Sequence, residues 1–265
     1  MALDKCYDSL VRILVLFLNN SFGSWDKLYH EGSLKTWCKN SNYISQYFLY
    51  SAKAPKFTSI NMFLNKLFIS RYGVRIWKYL NKRVIDLPVR NIATNDSNRL
   101  IVNCRELWFN ITRKTISALS YVDKNYDYDY LIRCNATCYV NEKALISFLE
   151  KTPNQVLYAG PRNKQFAAGW GIVMSRAAVK ILLNKKKVSD FSLFDDEAIG
   201  LIFQREGIEL QEIPYVQVSS IEELKQLESE KVKNIPLFRL KSEDSDGRSD
   251  HKLMKLLFEK LNQVT

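Results

Sequence analysis

The sequence predicts an α/β fold in which a central, mostly parallel sheet is flanked by helices on both faces. Strand-like apolar runs alternate with segments of helical period along most of the chain, the pattern of helices packed over a sheet. With 265 residues and 46% apolar composition, the chain can bury one large core. It carries no internal repeat or low-complexity tract. Residues 1–220 are expected to form one domain, and 221–265 an extension of basic loop and amphipathic helix packed on it.

The first strand is expected over 10–18 (LVRILVLFL), a run broken by Arg12 and too short for the roughly 20 residues of a spanning helix. A signal peptide is the competing reading, because Lys5 and Arg12 accompany the run. Asn19, Asn20 and Ser21 then offer no small-residue cleavage site. After a polar loop, 34–39 reads as a helix start behind Ser33 as N-cap. A second strand follows at 47–50. Over 59–83, apolar residues from Ile60 to Leu80 keep helical spacing, with a break at Tyr72 and Gly73.

Residues 100–102 read as a short strand, and 110–122 as a helix leading into a strand at 130–133. A helix at 142–150, a strand at 156–159 and a helix at 177–184 continue the alternation. In the last of these, Val179, Leu182 and Leu183 face inward. An acidic helix start opens 195–205, and 209–218 returns as a strand. A polar loop at 242–250 precedes a final amphipathic helix at 252–261. In sheets of this kind ligands bind beyond the carboxyl ends of the strands.

Lys and Arg number 39 against 28 Asp and Glu, a net charge of +11 that favours anionic partners such as nucleotide diphosphates, acidic membrane faces or nucleic acid. Nucleic acid is set aside, since no RNP-like, zinc-finger or basic-zipper motif is present. Lys185, Lys186 and Lys187 read either as a solvated helix end or as a peripheral membrane contact. Cys6, Cys38, Cys104, Cys134 and Cys138 form no C-x-x-C pair and fit a reducing, cytoplasmic setting. On one extended strand Cys134 and Cys138 would stand about 13 Å apart, too far for a shared metal. With His30 and His251 as the only histidines, a His/Cys metal site has little to draw on.

Five segments then stand in a telling order: GSLKTWC (32–38), ELWFNITRKT (106–115), RCNATCYVN (133–141), and FAAGWGIVMSR (166–176) followed by FDDEAIG (194–200). Together they resemble the R-x-T-W, D-x-Y-x-N-L-T-x-K-T, D-D-D-x-F-V-N, Y-x-S-G-x-G-Y-x-x-S and E-D-V-x-x-G segments of one glycosyltransferase family. It is the family of the β-1,3-galactosyltransferases, N-acetylglucosaminyltransferases and Fringe. The resemblance spans about residues 10–218. It implies a GT-A fold, a nucleotide-sugar donor (UDP-linked), a glycan or glycolipid acceptor, and inversion by direct displacement. Asp196 takes the place of the general base, with Asp195 beside it. Lys114, Arg133, Asn135 and Thr137 are implied at the donor, and Gly169, Trp170 and Gly171 at the acceptor. Trp170 reads equally as a core tryptophan, and the acidic run at 195–197 as helix N-terminal charge.

The chain departs from that pattern at the metal. Asn135, Ala136 and Thr137 replace the family's aspartates, so Mn²⁺ or Mg²⁺ would meet an amide and a hydroxyl instead of carboxylates, a poor set for a hard cation. Metal dependence is therefore open, and no organic cofactor is implied. Asp127, Tyr128 and Asp129 do spell D-x-D, but before the strand, which places them at the wrong end of the sheet. Arg239 and Arg248, in the basic stretch 236–252, are candidates to meet leaving-group charge instead. The degenerate metal site also leaves an alternative function: a non-catalytic binder of nucleotide sugars or glycans.

Overall fold

The computed structural model describes residues 11–20, 24–39, 41–53, 87–93, 98–107, 110–152, 155–188, 193–245 and 247–262. The helix predicted over 59–83 lies outside them. Strand β1 (Ile13–Leu18) sits centrally because both of its faces are apolar. Ile13, Val15 and Phe17 enter one core, and Leu14 and Leu16 the other. β1 pairs in parallel with β2 (Ile44–Lys53) on one side and β5 (Tyr130–Asn135) on the other. β2 pairs in parallel with β4 (Asn98–Arg105), and β3 (Val89–Ala93) closes that edge antiparallel. Beyond β5 come β10 (Gly171–Ser175), antiparallel to both its neighbours, then β7 (Tyr158–Gly160) and β11 (Gln211–Glu212). Among the described residues this makes an eight-stranded sheet of order β11-β7-β10-β5-β1-β2-β4-β3. The chain is thus a mixed α/β protein built on one large sheet.

Helices α3 (Ile111–Asn125), α5 (Arg176–Lys185) and α6 (Asp195–Arg205) cover one face. They send Ile116, Leu119, Val179, Leu182, Ile199 and Phe203 into the core that holds Leu14 and Leu16. On the other face α1 (Ser24–Leu28) runs into α2 (Tyr29–Cys38), which has the wider turns of a π-helix. The C-terminal α9 (Asp250–Asn262) packs on α2 at Gly32, where a Cβ would stand 2.7 Å from Met254 Sδ. A three-stranded sheet, β12 (Tyr215–Val218), β13 (Leu237–Leu240) and β6 (Cys138–Val140), adds to the same core. Helices α4 (Glu142–Lys151), α7 (Ile221–Gln226) and α8 (Ser229–Lys233) complete that side. The small hairpins β8 (Arg162–Asn163) with β9 (Phe166–Ala167), and β14 (Glu243–Asp244) with β15 (Gly247–Arg248), lie in the connections.

The structure corrects several expectations. Ser33 is no N-cap: the helical stretch starts at Ser24, and Ser33 is buried within α2 with its hydroxyl 3.7 Å from Met254 Sδ. The single strand at 209–218 is two strands in two sheets, divided at Pro214, which has no N–H to continue a ladder. The loop at 242–250 contains a hairpin in which Asp244 pairs with Gly247, whose φ of +102° suits a glycine. Cys134 and Cys138 are not held apart on one strand. A turn at 136–137 places them on β5 and β6, strands of different sheets, and both side chains are buried in the same core. Beyond residue 220, β13 bonds to β12 on one side and β6 on the other.

Candidate active site

Parallel strands end on the same side of a sheet, so β1 and β5 deliver Leu18 and Asn135 to one edge, and both line a cavity of about 810 Å³. Beneath it lies a buried polar network. Arg133, on β5, is 1% exposed, and Asp195, at the start of α6, is 2% exposed; the two form an ion pair. Arg133 Nε donates to the Tyr50 hydroxyl at 3.1 Å, and that hydroxyl lies 2.9 Å from Thr115 Oγ1. Thr115 in turn donates to Asp195 Oδ2 at 2.6 Å. Burial is the largest single influence and works against the guanidinium charge, but Asp195, Tyr50 and Asp196 together outweigh it and the Arg133 pKa is raised, so Arg133 stays charged. Burial also pushes the Tyr50 phenol up, which keeps it neutral.

Asp196 stands one residue further along α6 and lines the cavity. Its Oδ2 accepts the Gly169 N–H at 2.9 Å, and its Oδ1 accepts the Glu197 N–H at 2.9 Å. Burial, and next the negative charge of Asp195, raise its pKa above the ordinary carboxylate value, while Arg133 and the two N–H groups pull the other way. A half-buried carboxylate with a raised pKa at a cavity wall is suited to taking up a proton. The two adjacent aspartates thus differ in their surroundings. Both line the cavity, but Asp195 is engaged by the side chains of Arg133 and Thr115, whereas Asp196 accepts from the backbone N–H groups of Gly169 and Glu197.

The remaining predicted residues divide in the same way. Gly169 lines the cavity, and a Cβ there would come 2.8 Å from Asp196 Oδ2 and 3.1 Å from Arg133 Nη1. Trp170 is a buried wall of the cavity, edge-on to Tyr215 at 5.5 Å. Gly171 is not among the lining residues; a Cβ there would meet Leu237 Cδ1 at 3.2 Å, so it serves packing. Lys114 reaches the wall but is engaged by Glu106 and by the Asn19 carbonyl at 3.2 Å. Arg239 lines the cavity. Arg248 does not: it pairs with Asp250 and sits over the Trp25 ring at 5.1 Å, behind the wall. Asp127 and Asp129 lie at the far end of the sheet, bonded to Arg176 and Arg12.

The residues available to a divalent cation do not fit one. Asn135 Oδ1 accepts both the Thr137 N–H at 3.0 Å and the Thr137 hydroxyl at 2.7 Å, which occupies its lone pairs. What Asn135 offers the cavity is its NH₂ group, a donor. Thr137 is buried behind it and does not line the cavity. Among the described residues no three His, Cys, Asp or Glu side chains are grouped to hold a metal ion.

Other wall residues were not legible in the sequence. Glu106 stands within ELWFNITRKT, and its pairing with Lys114 shows that segment folding back on itself beside the cavity. Phe194, 50% exposed, immediately precedes the aspartates, and Tyr215, 41% exposed, follows Pro214; an aromatic directly before the candidate acids was the signal available for Phe194. Trp37 of GSLKTWC does not line the cavity and packs on Phe17 in the core. Of the lysine run, Lys185 pairs with Glu206 and Lys186 reaches Ser120, which fits a helix end held on the protein. Among the described residues no helix is long and apolar enough to cross a membrane.

No family model matches the chain, and no curated protein matches it in sequence. Among solved structures it is similar to a glycosyltransferase involved in the glycosylation of the major capsid of PBCV-1, at 10% identity and TM-score 0.43, covering 93% of this chain and 98% of that one. It is similar to mouse xyloside xylosyltransferase 1 at 8% identity and TM-score 0.38, covering 86% and 97%. It is also similar to the bifunctional IspDF from Campylobacter jejuni, at 13% identity and TM-score 0.37, covering 86% and 55%. Two of these three are glycosyltransferases, and none of them is named as a β-1,3-galactosyltransferase, an N-acetylglucosaminyltransferase or Fringe.

Proposed function

We propose that this protein is an inverting glycosyltransferase that moves a sugar from a UDP-linked donor to a hydroxyl of a glycan or glycolipid acceptor. The observation that carries the reading is the pair of aspartates with separated roles: Asp195 is buried on Arg133, and Asp196 lines the cavity with a raised pKa. In the reaction the acceptor O–H gives its proton to the Asp196 carboxylate as its oxygen bonds to the anomeric carbon. The bond from that carbon to the phosphate oxygen breaks, and its electron pair leaves with the nucleoside diphosphate. Displacement from the opposite face inverts the centre.

The Gly169 N–H holds the base in place, and the absence of a side chain at Gly169 leaves room for the acceptor oxygen beside it. Trp170, Tyr215 and Phe194 give the cavity aromatic faces on which the apolar side of a pyranose can stack. In this reading the glycan lies on the Asp196 side and the diphosphate toward Asn135 and Arg239.

The test is transfer from a panel of nucleotide sugars by wild type and Asp196→Asn. The variant is expected to keep donor affinity and to lose about 10²- to 10⁴-fold in transfer. Transfer at the wild-type rate by Asp196→Asn would remove the base assignment. Donor binding by wild type with no turnover on any acceptor would favour the non-catalytic binder, the reading that the missing carboxylates at 135–137 support.

A further inference from the structure

A nucleoside diphosphate leaves with charge that something must balance, and the cavity wall carries several cations. Among the described residues Lys114, Arg133, Arg162 and Arg239 line it. Lys114 is paired with Glu106, Arg133 with Asp195, and Arg162 with Glu212 at 3.0 Å. Arg239 pairs with no carboxylate among the described residues, and its Nε is buried with no hydrogen-bond partner. A guanidinium N–H taken from water and left unbonded is costly, and it is the kind of group a ligand satisfies.

Its position is as informative as its lack of a partner. Arg239 lies on β13 opposite Cys138 of β6 and Gln217 of β12, and the next residue, Leu240, donates its N–H to the Thr137 carbonyl at 2.9 Å. Arg239 therefore stands against the turn at 135–137, where the resembling family carries its metal-binding aspartates. In that turn Asn135 has its carbonyl oxygen occupied by Thr137 and keeps its NH₂ group for the cavity. The wall presents hydrogen-bond donors and positive charge where a cation site would need oxygen acceptors.

We infer that Arg239, with the Asn135 amide, forms a metal-independent binding site for the diphosphate of the donor. The guanidinium can meet two phosphate oxygens in its fork geometry and supply fixed positive charge as the phosphate–sugar bond breaks. This rests on the cavity's being a nucleotide-sugar site.

The experiment is calorimetric titration of the full chain, in EDTA and then in Mn²⁺, with UDP, uridine and inorganic pyrophosphate. The arms are wild type, Arg239→Ala and Arg239→Lys, each first checked for a wild-type melting curve. UDP and pyrophosphate are expected to bind in EDTA. Arg239→Ala should weaken both by about 10- to 100-fold and leave uridine unchanged, since charge-assisted hydrogen bonds are the stronger kind. Arg239→Lys should recover part of the loss, because an ammonium supplies the charge without the fork; it also carries the test if Arg239→Ala fails to fold. UDP binding that needs Mn²⁺, or that Arg239→Ala and Arg239→Lys leave unchanged, overturns the anion site while the transfer reading stands. Pyrophosphate binding that depends on Arg239, with no affinity for any nucleotide, overturns the transfer reading and keeps the anion site. No binding of UDP or pyrophosphate in either EDTA or Mn²⁺ overturns both.

Discussion

At the scale of single residues, Asp195 and Asp196 make opposite predictions although they are neighbours. Asp195 forms an ion pair with Arg133 in which both side chains are almost fully buried. Removing one partner leaves an uncompensated charge in the core, so Asp195→Asn is expected to cost about 3–5 kcal/mol in urea unfolding. An unfolding midpoint close to wild type would show that the pair is dispensable. Asp196 has a raised pKa, caused first by burial and then by Asp195. In the proposed reaction Asp196 acts as a base and must be deprotonated, so transfer should rise with pH along an acid limb set above the ordinary carboxylate value. Stability runs the other way. Between the ordinary and the raised value the folded state holds more protons than the unfolded one, so Asp196 loses stabilising influence as pH rises through that window. Relative to wild type, Asp196→Asn should therefore gain stability with rising pH there. A pH-independent difference between the two unfolding curves would contradict the shift.

At the scale of elements, legibility followed the strength of the apolar pattern. β1, α3 and α6 were readable because each carries a continuous or periodic apolar run that only a buried face explains. β3 and β13 were not, because their signal lies in which strand they meet and not in their own few residues. The turn at 135–137 shows the same limit: Asn and Thr two residues apart read as absent metal ligands, whereas in the fold they tie each other down. That turn can be tested as an element. Asn135→Ala removes the acceptor of two hydrogen bonds and strands the buried Thr137 hydroxyl, for an expected loss of about 1–3 kcal/mol. It should also weaken UDP binding, because the turn carries the donor group of the anion site. A variant with full stability and full UDP affinity would show that the turn does not depend on Asn135.

At the scale of the whole molecule, the segments at 106–115, 133–141, 166–176 and 194–200 are distant along the chain and meet around one cavity, while 32–38 packs in the core. Thr115 bonds Asp195, Arg133 pairs with Asp195, and Gly169 bonds Asp196. Such convergence needs the sheet, since residues separated by up to 80 positions are brought together by strand order and not by local sequence. Residues 221–265 add β13 to the second sheet, so residues 1–220 are not expected to stand alone. Within 221–265, Leu237, Phe238, Leu240, Leu253, Met254 and Leu257 are all buried. At about 1.5–3 kcal/mol for each buried side chain their removal forgoes roughly 9–18 kcal/mol. That matches or exceeds the roughly 5–15 kcal/mol by which a domain is stable at all. Truncation also exposes the edges of β12 and β6 and removes Arg239 from the cavity wall. Residues 1–220 are expected to lack a cooperative melting transition and near-ultraviolet circular dichroism, and to bind neither UDP nor pyrophosphate. A truncated chain that melts cooperatively near the full-length temperature would show instead that the last 45 residues are an appendage to a self-sufficient domain.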